Sequence, residues 1–154
     1  MFVNERWCKP GHCMVKVELC CEDIELLAVS VRPFYLPREF THVIVIAVYM
    51  PPSAKADTAC DTLLSVTTRL QTQHPQALFL ISGDFNHAPP TSVLPTFTQY
   101  VTCTTRNNKT SVLCQHQGGI FYIPHCLADL TTTLSIYSLC IDLWCTGSLW
   151  SDAW

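Results

Sequence analysis

Val43-Ile44-Val45-Ile46-Ala47-Val48-Tyr49 and, after a polar interval, Ala77-Leu78-Phe79-Leu80-Ile81-Ser82 decide the fold of this chain. Each is a short, continuous apolar run, and the first is rich in β-branched side chains. Runs of this kind suit strands covered on both faces. Pro51 and Pro52 stop the first run, because proline has no N–H to give a ladder. Between the runs, Ala56, Ala59, Cys60, Leu63, Leu64, Thr67 and Leu70 recur at the spacing of one helix face, with Thr67 its weak member. Ser53 is the candidate N-cap, and Pro75 lies just past the end. Strand, helix and strand from 43 to 82 make a β-α-β unit, which predicts an α/β fold with layers on both sides of the sheet.

Working outward, residues 14–20 read MVKVELC, where Val15, Val17 and Leu19 alternate with Lys16 and Glu18 as in a half-buried strand. Residues 24–31, IELLAVSV, form a second strand candidate, and the acidic stretch between suits a hairpin turn. Residues 32–40 hold two prolines and read as a loop. Residues 83–90, GDFNHAPP, read as a loop at the carboxyl end of the second buried strand. Residues 93–100 carry no clear period, and 100–104 suit a strand.

Composition limits what such a domain can do. The chain has 154 residues, the size of one domain. Hydrophobic residues make up 49% and charged residues 14%, which excludes a disordered tail and a polybasic nucleic-acid arm. Mean hydropathy is +0.23, yet no charge-free apolar run is long enough to span a membrane. Residues 1–115 carry all nine Lys and Arg and nine of the twelve acids, so they are neutral. Residues 116–154 carry no Lys or Arg, three acids, and Trp144, Trp150 and Trp154. That change marks a break in organisation near Lys109–Gln115, with a partial domain over 1–115 and a divergent tail over 116–154. The first residues, MFVNERWCKPGHC, show no secretory pattern, which predicts an intracellular chain, in cytoplasm or nucleus, with its ten cysteines reduced. Cys8, His12, Cys13, Cys20 and Cys21 are the closest approach to a zinc pattern, but an adjacent Cys pair fits tetrahedral ligation poorly.

The candidate chemistry lies in Ser82-Gly83-Asp84-Phe85-Asn86-His87. A buried strand ends there, and ligands of open α/β sheets sit beyond the carboxyl ends of strands. Alternation places Asp84 and Asn86 on one side and Phe85 on the other. Asp84 can orient or deprotonate water, and Asn86 can donate to a phosphate oxygen without adding charge. Equally, Asp84 and Asn86 can bond their own backbone in a turn. Tyr49 ends the other buried strand and meets Asp84 if the two strands are neighbours. Its phenol can donate to a phosphoryl oxygen, or its ring can simply cap the core. His87, Arg32, Arg38 and Arg106 are weaker candidates for contact with a phosphate strand.

Taken together, VIVIAVYMPP, the helix ending RLQTQHP, ALFLISGDFNHA and TFTQYVTCTTRNNKT resemble the endonuclease/exonuclease/phosphatase superfamily. Within it, they are most similar to the endonuclease-like domain of LINE-type (non-LTR) retrotransposon polyproteins. The resemblance covers residues 2–115. It implies a partial four-layer α/β sandwich, phosphodiester hydrolysis with Mg²⁺, DNA as partner, and no membrane or small-molecule cofactor. Position by position, it implies that Asp84 handles the attacking water, and that Asn86 and Tyr49 contact the scissile phosphate.

The sequence departs from that family in three places. The family's early Asn and metal-binding Glu have no counterpart in MFVNERW, where Glu5 belongs to a later segment of the pattern. Val112 stands where an Asp follows the NKT segment in such domains. The closing Ser-Asp-His is absent, since Ser151-Asp152-Ala153 ends in a side chain that cannot act as an imidazole. Mg²⁺ is bound through only one or two carboxylates, so a missing Glu leaves it poorly held. Losing one transition-state donor costs about 2.7–4 kcal/mol, so losing several predicts an inactive remnant. A frameshift or splice junction in a decaying transposon copy accounts for the tail; a non-catalytic phosphate- or protein-binding module is the alternative reading.

Overall fold

The computed structural model describes residues 8–86, 93–104 and 109–115 of the chain. Among them the fold is mixed α/β. One six-stranded sheet runs β1 (Cys8–Cys20), β2 (Glu25–Pro33), β3 (His42–Tyr49), β4 (Ala77–Asp84), β5 (Phe97–Thr104) and β6 (Lys109–Gln115) in chain order. Helix α1 (Ala56–Gln73) joins β3 to β4. The spatial order is β1-β2-β3-β4-β6-β5. β3 and β4 pair parallel and in register from His42↔Ala77 to Tyr49↔Asp84, while the other pairs are antiparallel. The expected β-α-β unit is therefore the centre of the sheet.

The helix forms for the reason its stripe suggests. Ala59, Cys60, Leu63, Thr67 and Leu70 are buried, and the four apolar ones pack with Ile44, Ile46 and Val48 of β3 and Phe79 and Ile81 of β4. Fully burying one such Leu or Ile is worth roughly 1.5–3 kcal/mol. Leu64, expected in the stripe, is 40% exposed, because it lies at the edge of the apolar arc. Ser53 is not the N-cap. Lys55 takes that position with extended backbone and no side-chain cap bond. Its own N–H donates to Asp23 Oδ1 at 2.8 Å, which ties the helix start to the β1–β2 turn.

β3 and β4 carry buried side chains on both faces. On the α1 face Ile44, Ile46, Val48, Phe79 and Ile81 are buried. On the opposite face Cys8, Val29, Val31, Val43 and Leu80 form a smaller cluster, with Leu27, Leu36, Val45 and Leu78 packed against it but partly exposed. Along it Val43, Leu80 and Ser82 are buried, while Leu78, Val45, Ala47, Tyr49 and Asp84 are half-buried.

Several boundaries also move. β1 starts at Cys8 rather than Met14, because a ladder irregularity with Gly11 at φ 86° lets the strand continue through Pro10. β2 extends through Arg32 and Pro33, which the sequence suggested were loop. β5 takes in the stretch from 97, and β6 covers Lys109–Gln115. A loss of cations along the chain reports on composition, and pairing between β4 and β5 decides whether Lys109–Gln115 is strand.

Candidate functional site

The register of the sheet builds the site. Glu25 pairs with Tyr49, and Tyr49 pairs with Asp84, so the three stand in one row across β2, β3 and β4. Side chains on a strand alternate faces. Val43 and Val45 of β3 and Leu80 of β4 belong to the smaller cluster, so Tyr49 and Asp84 lie on that same, incompletely covered face. Glu25 follows by the same count from Val29 and Val31 of β2. All three are half-buried. Neighbouring strands lie about 4.8 Å apart, which puts the Glu25 and Asp84 backbones roughly 10 Å from each other with the phenol between.

A clasp of hydrogen bonds holds this end of the parallel pair. The Met50 N–H donates to the Asp84 carbonyl at 2.9 Å. The Asn86 N–H donates to Asp84 Oδ1 at 3.1 Å, an Asx turn. The Asn86 side-chain amide donates to the Met50 carbonyl at 2.6 Å. Asn86 sits at φ 45°, in the left-handed region that Asn tolerates better than most residues. It therefore leaves the strand, and a turn bond rather than strand alternation sets it beside Asp84. Phe85 points into the main core at 1% exposure.

Gly83 explains how the strands come so close. A Cβ built there would overlap the Val48 carbonyl oxygen and lie 2.7 Å from its carbon. Asp84 carries a carboxyl held above its ordinary range, chiefly by burial, with the Asn86 N–H pulling the other way.

No protein family, curated protein or solved structure matches the chain. The site must be read from its own geometry. Of the candidates named from sequence, Tyr49 and Asp84 are brought together and Asn86 is tied to both strands through Met50. Arg32 is not part of the group: it lies near the far end of β2, where its charge acts on His42. Arg38 is exposed in the loop before β3. His87, Arg106, Glu5 and residues 116–154 lie outside the described residues. Glu25 was missed, and only the two-dimensional register of the sheet reveals it.

Glu25 and Asp84 are the two carboxylates of the row. Among the described residues no three His, Cys, Asp or Glu side chains group as metal ligands. At the position where an Asp is expected after the NKT segment, the strand register sets Val112 opposite Ser82, on β6. The zinc reading of Cys8, His12, Cys13, Cys20 and Cys21 meets the same observation, and Cys8 and Cys20 stand at opposite ends of β1 with Cys21 just past it. A groove of about 560 Å³ lies away from the row, between β1 and α1, lined by Val17, Leu19, Val66 and Arg69 among others. Among the described residues no helix is long and apolar enough to cross a membrane.

Proposed function

We propose that residues 1–115 are a non-turning-over remnant of a metal-dependent phosphodiesterase, the DNA endonuclease domain of a non-LTR retrotransposon, with part of a four-layer sandwich as its fold. The observation that carries this reading is the placement of Tyr49 and Asp84 side by side at the carboxyl ends of adjoining parallel strands. A phenol donor and a carboxylate there suit a phosphoryl group and its attacking water. The half-covered face beneath them is consistent with one half of a sandwich.

The reading includes inactivity. In-line displacement needs charge neutralised on the phosphorane. The row supplies two acids and a phenol and no cation. Residues 1–115 are neutral in sum, which leaves little phosphate neutralisation to hold a duplex. The Asx clasp, which engages Asp84 and Asn86 with backbone, supports the non-catalytic binding module as the second reading.

Two measurements test this. Supercoiled plasmid incubated with the chain and Mg²⁺ should show no nicking above buffer. Nicking that disappears in Asp84→Asn would overturn the inactivity. The source DNA should carry a reverse-transcriptase frame downstream; an uninterrupted unrelated exon continuing past codon 115 would overturn the origin.

A further inference from the structure

Far from the row, at the other end of the same face, two thiols meet. From Cys8 to Cys13 along β1, the partner strand advances only from Pro33 to Val31. The residues between are looped out through Gly11 at φ 86°. Cys8 and Cys13 therefore face β2 positions two apart, on one side of the sheet. Two residues of strand span about 6.7 Å, near the upper end of the Cα separation that a disulfide bridges. The thiols complete the approach. The Cys8 thiol lies close enough to act on that of Cys13, and the Cys8 Sγ donates to the Arg32 carbonyl at 3.2 Å. Both are free thiols, Cys13 exposed and Cys8 buried at 2% exposure.

We propose that Cys8 and Cys13 are a redox-active dithiol, closed to an intramolecular disulfide by exchange with a small-molecule disulfide of the glutathione type. Cys13 is the sulfur that solvent reaches, so its thiolate attacks one sulfur of the oxidant. The oxidant's S–S bond breaks, and its first half leaves as a thiol carrying the proton lost by Cys13. Cys8, already in contact, then attacks Cys13 Sγ. The mixed disulfide breaks, and the second half leaves with the proton lost by Cys8. Two protein thiols are oxidised and one small disulfide is reduced to two thiols.

Cys20 and Cys60 are badly placed to compete. Cys20 pairs with Glu25 at the opposite end of β1, about 23 Å of strand from Cys13. Cys60 is buried on the α1 face. Burial, and then the neighbouring Cys8, push the Cys13 thiol above its ordinary range. The first step is accordingly slow near neutrality and accelerates with rising pH.

The test uses the full chain, reduced, freed of reductant and exposed to oxidised glutathione at neutral and mildly alkaline pH. Remaining thiols are then alkylated and the chain is digested with trypsin. Residues 7–16 form one peptide holding Cys8 and Cys13 alone, because the Lys9–Pro10 bond resists cleavage. The expected product is that peptide, unalkylated and lighter by two hydrogens, formed faster at the higher pH. Cys8→Ser should instead hold one glutathione on Cys13, and Cys13→Ser should leave Cys8 unmodified. In urea the ratio of closed to mixed disulfide should fall several-fold. A ratio unchanged in urea, a mixed disulfide that persists on the native wild-type chain, or a cross-link to Cys20 or Cys21 would each overturn the proposal.

Discussion

Gly83→Ala is the perturbation that tests the geometry of the site most directly. Most glycine substitutions in strands are tolerated, because a Cβ normally leaves the sheet at right angles to the ladder. At Gly83 the added carbon would instead strike β3, overlapping the Val48 carbonyl oxygen, with the Val48 N only 2.9 Å away. The obstacle is backbone, so no rotamer change relieves it, and β3 and β4 must part at their carboxyl ends. Overpacking of this kind costs about 1–3 kcal/mol. Parting the strands also strains the Met50–Asp84 and Asn86–Met50 bonds, each worth about 0.5–1.5 kcal/mol. The sum is about 2–4 kcal/mol if one of those bonds is lost. In a chain of 154 residues 1 kcal/mol moves Tm by about 2–4 °C, so a fall of about 4–16 °C is expected. Thermal and urea unfolding followed by far-UV circular dichroism reads it. Gly11→Ala is the companion, since its Cβ would meet nothing within 4 Å and only its φ of 86° resists. That substitution should cost roughly 1–2 kcal/mol. Equal losses for the two variants, or a Gly83→Ala chain within 0.5 kcal/mol of wild type, would refute the close approach of the strands.

Three further outcomes follow from single groups. Thr67→Val should stabilise the chain by about 1 kcal/mol in urea unfolding, because Thr67 is fully buried and its hydroxyl finds no partner among the described residues. Asp84→Asn keeps an acceptor for the Asn86 N–H while removing a charge that burial disfavours. Because the folded pKa is raised, wild-type stability falls as pH rises from the unfolded carboxylate value through the folded one. The Asn variant should lack that fall and exceed wild type at pH 7, whereas Asp84→Ala should lose the turn and be weaker than both. His42 and His74 meet edge to face at 5.0 Å between centroids. Both are held below the ordinary imidazole range, first by burial, with Lys16 acting on both and Arg32 and His74 on His42. The unfolded chain therefore takes up protons that the folded one refuses, and stability should drop as pH falls below about 6.5. His74→Gln should flatten that drop in a urea titration repeated from pH 7.5 to pH 5.

The sequence made the centre of the fold legible because its signals there are local. β-branched runs, a helical stripe and the Pro51-Pro52 stop each act within one element, and β3, α1 and β4 appear where they point. Parallel pairing then followed from the crossover, and it brought Tyr49 opposite Asp84. What stayed illegible depends on partners distant in the chain. β6 is a strand because β4 and β5 flank it. Glu25 joins the row because the hairpin register puts it opposite Tyr49. The helix start moved to Lys55 because Asp23, from another turn, accepts its N–H. Asn86 left the strand because the Met50 carbonyl, at the end of the neighbouring strand, holds its amide at φ 45°.

Each residue of the GDFN segment has a structural task of its own. Gly83 is needed because any Cβ would collide with Val48. Asp84 supplies the acceptor of the Asx turn. Phe85 fills the core beneath α1. Asn86 takes a left-handed backbone and fastens β4 to Met50. Every residue of the tetrapeptide thus has a packing or hydrogen-bonding reason to be there, and the fold would need all four even with no phosphate to hold. Outside the tetrapeptide, the phenol of Tyr49 stands in register with Asp84 on the face opposite α1. Substituting Asp84 or Asn86 would perturb folding and chemistry together, whereas Tyr49→Phe removes only a hydroxyl from a strand end. For a remnant, that single change should leave the absence of nicking as it was.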